Sequence, residues 1–255
     1  MLKRVFTAVC LACVLTGTAP AAADPDAGAY LAARQADSAN DFTTSARFLT
    51  KALLADPTNV VLQENAMRAL IALGQIDRAV PVAQAMIDQG HDDPIAYLTL
   101  SVADARAGNW AELLAALDAG RDISPLVDGL SVAWAHLGAG DIANAIGSFD
   151  SVIAGDGMAV YGLTHKAYAL ASVGDFEGAE AIFRDNPGLR FNRQSVIAYA
   201  QILSQLGQND AAVAFMDRVF GNELDPGLTL LRADLVAGTS VAYNAVRTPA
   251  QGMAD

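Results

Sequence analysis

The sequence predicts an all-α chain built as a solenoid of about six helical hairpins. Three observations predict it: a short turn pattern that returns six times, an Ala-rich apolar composition with few charges, and prolines that punctuate the chain where one hairpin should give way to the next. The pattern reads small residue, polar residue, bulky residue, then a small or apolar residue three positions further on. It occurs as Asn40-Asp41-Phe42 with Ser45, Gly74-Gln75-Ile76 with Ala79, Gly108-Asn109-Trp110 with Leu113, Gly140-Asp141-Ile142 with Ala145, Gly174-Asp175-Phe176 with Ala179, and Gly207-Gln208-Asn209 with Ala212. The copies begin at 40, 74, 108, 140, 174 and 207, so the steps are 34, 34, 32, 34 and 33 residues.

Each copy lies between two stretches with helical spacing of apolar residues, which puts its small residue in the turn of a hairpin. A helix that ends in a left-handed residue favours Gly, and Asn40 is the non-Gly type that tolerates this backbone best. Pro57, Pro94, Pro125 and Pro226 then end one hairpin and open the next. The predicted helices are 26–39, 43–55, 59–73, 77–89, 94–107, 111–122, 126–139, 143–154, 160–173, 177–185, 192–206 and 210–221. No stretch reads as a strand. One hairpin cannot bury its own apolar face, so each unit must share stability with its neighbours.

These turns resemble those of the tetratricopeptide repeat (TPR) family. In the first copy Asn40-Asp41-Phe42, Phe48-Leu49, Ala52-Leu53 and Asp56-Pro57 stand where that family has its Gly-Asp-Tyr turn, aromatic residue, Ala-Leu pair and Asp-Pro. Copies four and five keep the turn, the small residue (Ala145, Ala179) and the aromatic residue beyond it (Phe149, Phe183). Departures fall at Gly120, where the first copy has Ala52, and at Asn186-Pro187, where the fifth copy ends early. The resemblance covers roughly 26–226 and implies a right-handed α-solenoid.

The N-terminus reads as a leader for export. Lys3 and Arg4 precede an uncharged apolar run from Val5 to about Leu15, and Ala21-Ala22-Ala23 offer small residues to a signal peptidase, so cleavage is expected after Ala23. The domain plan is therefore a leader over 1–23, a repeat solenoid over 24–226 and an incomplete further repeat over 227–255. Both cysteines, Cys10 and Cys13, lie in the leader, which leaves no thiol for a disulfide or zinc site. The apolar run is too short to span a bilayer and no later segment is long and apolar enough, so no membrane insertion of the mature chain is expected. The formal net charge of −12 argues against a nucleic-acid partner.

Catalytic signals are weak throughout. Gly138-Ala139-Gly140 imitates a dinucleotide-binding turn, but no strand precedes it and it coincides with a repeat turn. Gly129-Leu130-Ser131 falls inside a predicted helix, where a nucleophile elbow cannot form. His91, His136 and His165 have no partner ligand at helical spacing. The expectation is a non-catalytic protein with no cofactor and no metal.

The resemblance implies a binding surface. In that family the fifth and ninth positions of each hairpin's first helix line the concave face of the solenoid. Counting back from the turns, the ninth position is Arg34, Arg68, Val102, Trp134, Tyr168 and Gln201, and the fifth is Tyr30, Glu64, Leu98, Leu130, Thr164 and Ile197. The candidate protein-binding residues are Tyr30, Arg34, Arg68, Leu98, Trp134, Tyr168 and Gln201. They make a stripe that is cationic near the N-terminus and apolar to aromatic beyond it, suited to an extended peptide with apolar anchors and an acidic group. The competing reading is that Trp134 and Tyr168 simply pack against a neighbouring helix. Of the clamp with which some members hold a chaperone's C-terminal carboxylate, only Asn65 matches; Tyr30, Ile95 and Thr99 do not.

The function expected is an interaction scaffold of the bacterial envelope, exported to the periplasm. The alternative is the substrate-recruiting repeat region of a longer envelope enzyme or of a secretion or assembly factor. One detail near the C-terminus bears on this choice. Thr248-Pro249-Ala250-Gln251 is a helix-start signature with only four residues after it, as a truncated array would show.

Overall fold

The computed structural model describes residues 25–189, 192–221 and 223–254, with side chains from Ala27 onward. The predicted leader and its cut after Ala23 lie outside the described residues. Among the described residues there is no strand, and fourteen α-helices follow one another in chain order.

Twelve of them pair into six hairpins: α1 (Pro25–Ser38) with α2 (Phe42–Ala55), α3 (Val60–Ala72) with α4 (Ile76–Asp88), α5 (Pro94–Ala107) with α6 (Trp110–Asp118), α7 (Pro125–Gly138) with α8 (Ile142–Ile153), α9 (Ala159–Ser172) with α10 (Phe176–Asp185), and α11 (Arg193–Gln205) with α12 (Asn209–Phe220). A thirteenth, α13 (Pro226–Val236), packs on α12 as the first helix of a further hairpin would. Contacts run between successive helices down the array, which is the packing of an α-solenoid.

The turn pattern works through two adjacent residues. All six predicted turn positions are left-handed, from φ 56° at Asn40 to 89° at Gly174. The polar residue that follows begins the second helix. Asp41, Asp141 and Asp175 accept hydrogen bonds from the backbone N–H of Thr44, Asn144 and Gly178 at 3.0, 3.1 and 2.9 Å, each satisfying one of the unpaired donors of a helix N-terminus. The boundaries between hairpins use the same device: Asp93, Ser124 and Asp225 cap α5, α7 and α13, each with Pro at the first helical position. Helix α6 stops at Asp118, short of the predicted 122, because Gly120 turns left-handed at φ 95°.

The core changes character along the array. Around α1 to α4 it is Ala-rich, with Ala29, Ala33, Ala46, Ala52, Ala66 and Ala79 buried beside Leu49, Leu62 and Leu70. From α7 onward a run of rings crosses the hairpins. Trp134 meets Phe149 and His165 at centroid distances of 5.5 and 6.1 Å, His165 meets Tyr168 at 6.0 Å, Tyr168 meets Phe183 at 6.3 Å, Phe183 meets Tyr199 at 5.2 Å, and Tyr199 meets Phe215 at 5.0 Å. Most are edge-on or tilted, the arrangement ring quadrupoles favour.

Residues 227–255 were expected as an incomplete further repeat. Within the described part, α13 takes the place of such a repeat's first helix. Beyond Gly238, left-handed at φ 76°, the chain does not form a second helix against α13. It turns back, runs without regular secondary structure over 239–248 and ends in α14 (Pro249–Ala254), which packs against α5, α7 and α9. These are first helices of their hairpins, so α14 lies on the concave face.

Candidate protein-binding groove

The stripe's residues stand on successive first helices, and its two halves differ in what covers them. In the N-terminal half Arg34 and Arg68 are exposed and neither has an ion-pair partner among the described residues. Tyr30 and Arg34 sit one turn apart on α1, with Arg34 Nη1 donating to Tyr30 Oη at 3.2 Å and the guanidinium 6.0 Å from the ring centroid. Arg34, Asp37 and Asn65 edge a shallow cleft floored by Ala33, Ser45 and Leu49. Asn65 spends its amide N–H on the Val61 carbonyl at 2.7 Å, within its own helix. Leu98 on α5 remains 38% exposed, an apolar side chain open to solvent.

The C-terminal half is filled. Trp134, Tyr168 and Gln201, at the same helical position as Arg34 and Arg68, are buried. Trp134 lies under α14, where Gly252 presses so closely on its ring that any Cβ would overlap it. Its indole N–H donates to His165 Nδ1 at 3.1 Å. That bond leaves the ring hydrogen of the neutral His165 on Nε2, and His165 also makes a backbone hydrogen bond with Gly252. Burial pulls the imidazole down to about 4, against a smaller upward pull from Gly252. Charge on this ring is thus excluded at neutral pH.

Helix α11 reads the 239–248 segment through its main chain. Gln201 Oε1 accepts from the backbone N–H of Asn244 and Ala245 at 3.0 and 3.2 Å, while its Nε2 donates to Asn244 Oδ1 at 2.7 Å. One turn on, Ser204 Oγ accepts from Val241 N at 2.9 Å and Gln205 Nε2 donates to Val241 O at 2.7 Å. Asn209 adds a bond to the Thr239 carbonyl at 3.0 Å. Residues 201, 204 and 205 share one helical face because they are three and four apart. The segment's own side chains add Tyr243, whose ring meets Phe176 at 6.3 Å, and a buried Val246.

The helix-start signature at Thr248 is realised. Gln251 N donates to Thr248 Oγ1 at 3.2 Å and Gln251 Oε1 accepts from Arg247 N at 3.0 Å, closing a reciprocal cap on α14. Sequence reasoning found this start but not its destination. It also missed Ser204 and Gln205, whose only signal was a polar face on a helix otherwise rich in buried apolar residues. Among the described residues no three His, Cys, Asp or Glu side chains group as a metal site would need, and no helix is long and apolar enough to cross a membrane.

The fold and this concave face define a helical-repeat solenoid with a polypeptide-sized groove. Residues 30–103 match the tetratricopeptide repeat family model. The chain is similar to a tetratricopeptide repeat protein from Parabacteroides merdae of known crystal structure, with a TM-score of 0.65 and 16% identity over 84% of this chain and 86% of that one. No curated protein matches it in sequence.

Proposed function

We propose that this chain is a non-catalytic interaction scaffold of the bacterial envelope. Its site is the open N-terminal half of the groove, lined by Tyr30, Arg34, Arg68 and Leu98, which holds an extended segment of a partner protein. Tetratricopeptide repeats generally mediate protein–protein interaction, which supports the class of function. The observation that carries the site is a pair of exposed arginines without ion-pair partners among the described residues, with Leu98 exposed on a following first helix, on a chain of net charge −12. Arginines left free on an acidic molecule favour a ligand with a carboxylate, and Leu98 with Tyr30 offers its apolar anchor a place to bury. Export rests on Lys3, Arg4, the apolar run that follows and Ala21 to Ala23.

Affinity capture from an envelope fraction, with the mature chain and its Arg34→Glu, Arg68→Glu double variant as paired baits, tests the site. The expected result is a partner retained by the first bait and lost from the second, with binding that weakens as salt rises. Equal retention by both baits would exclude this half of the groove. Mass spectrometry of the same fraction should find Asp24 as the first residue, and an intact Met1 confined to the cytoplasm would overturn export.

A further inference from the structure

We propose that residues 239–254 are a displaceable strap that occupies the C-terminal half of the groove in place of a partner, and that an extended, uncharged segment of a partner protein takes the same seat when the strap lifts. The proposal extends the reading of the concave face as a polypeptide site, and three features of the strap carry it.

The first is how the strap is held. Over 239–245 the recognition is chiefly of backbone: Gln201, Ser204, Gln205 and Asn209 bond to N–H and C=O groups that any extended peptide presents. Helix α11 thus binds peptide main chain, with Tyr243 and Val246 adding side-chain preference for an aromatic and then an aliphatic residue.

The second is how little of the strap is buried. Only Val246 and Gly252 are buried, whereas the helices beneath carry their largest side chains fully inside. Val241, Tyr243, Ala245, Ala250 and Met253 pack against the core but stay part-buried, and a segment held by part-buried contacts opens at a lower free energy than the fully buried array it lies on. Gly238, left-handed at φ 76° and with open space around it, stands where the strap leaves α13 and suits a hinge.

The third is charge. Within Thr239 to Ala254 the only ionisable side chains are Tyr243 and Arg247, and Arg247 points to solvent. Trp134, Tyr168 and Gln201 are likewise uncharged, so the seat is matched to an uncharged ligand and the open half to an acidic one.

Two measurements on the full-length chain test this. In native-state hydrogen exchange, the amides of Val241, Asn244 and Ala245 should exchange faster than those of Ile202 and Leu203 in α11 by on the order of tenfold or more. Exchange of both sets in step would mean that the strap opens only when the array unfolds, and would overturn the proposal. In the second, a fluorescent synthetic peptide of residues 239–255 is titrated against the native chain and against full-length Gly252→Val, whose added side chain meets Trp134 and unseats its own strap. The variant should bind the peptide about tenfold or more tighter than the native chain, and adding Gln201→Ala should abolish the gain. Equal binding to both chains, or a gain indifferent to Gln201→Ala, would sink it. If circular dichroism shows Gly252→Val unfolded, Val246→Asp replaces it, and the exchange measurement needs no variant. Failure here leaves the charge-reversal test of Arg34 and Arg68 untouched, so the two proposals fall separately.

Discussion

One helical position carries Arg34 and Arg68 in the first two hairpins and Trp134, Tyr168 and Gln201 in the last three, and the two sets meet different surroundings. The arginines face solvent over an Ala-rich core. The other three lie beneath a segment of their own chain, over a core of interlocking rings. Repeat position therefore sets the face of the solenoid on which a residue stands. Whether it acts as surface or as core depends on what fills the groove above it.

The largest effect that would break this comparison is at Trp134. Replacing Trp134 with Ala should lower unfolding free energy by about 3 to 5 kcal/mol, since it empties a fully buried site between α8, α9 and α14. Chemical denaturation measures it, and a loss below about 1 kcal/mol would show that the C-terminal half is as loosely filled as the N-terminal half.

Acid should act on the same half. His165 has a folded value near 4 against 6.5 when unfolded, so below the unfolded value the unfolded state takes up a proton that the folded state refuses. Stability should thus be full above pH 6.5 and fall by about 3 kcal/mol as pH drops to 4, with no further loss from this group below that. Denaturation curves for the native chain and His165→Gln, taken across this window, should differ in slope. Parallel curves would mean that His165 is not sealed beneath the strap.

A smaller effect belongs to the turns, which the two halves share. Gly174 has φ 89° and nothing within 4 Å of an added Cβ, so Gly174→Ala should cost about 1 kcal/mol through backbone strain alone. A similar loss at Gly74, φ 67° and equally open, would show that the turns are alike even where the cores differ.

The smallest effect is expected at Arg34. Arg34→Ala should change stability by less than about 0.5 kcal/mol, because the side chain is exposed and its polar partner, Tyr30, lies on the same helix. A drop comparable to that at Trp134 would erase the distinction between the halves.

Much of the array was legible because its signals are local. Asn40 and the five turn glycines need only their own backbone to be read, and Asp41, Asp141 and Asp175 cap helices three residues away. Most predicted helix limits fall within a residue of the observed ones, and the main miss, at α6, follows from Gly120. The groove was legible in part. Position counting gave Tyr30, Arg34, Arg68, Leu98, Trp134, Tyr168 and Gln201 matching places on successive first helices, yet it could not tell the covered from the open. The cover comes from residues far along the chain: Tyr168 and Tyr243 are 75 positions apart, and Gln201 and Asn244 are 43 apart. Nothing in the spacing of residues 239–248 marks where such a segment lands.

Those long separations also bear on how the molecule assembles and comes apart. A solenoid held only by neighbour contacts can start folding at any unit and unravel from either end. Segment 239–254 has nowhere to settle until α5, α7, α9 and α11 are already side by side, and bringing it back closes a long loop whose entropy must be met late. Its docking is therefore a completion step that can follow only a correctly stacked array. Once made, it bridges the last four hairpins across their joints, so that while it is seated they are tied together by more than neighbour contacts.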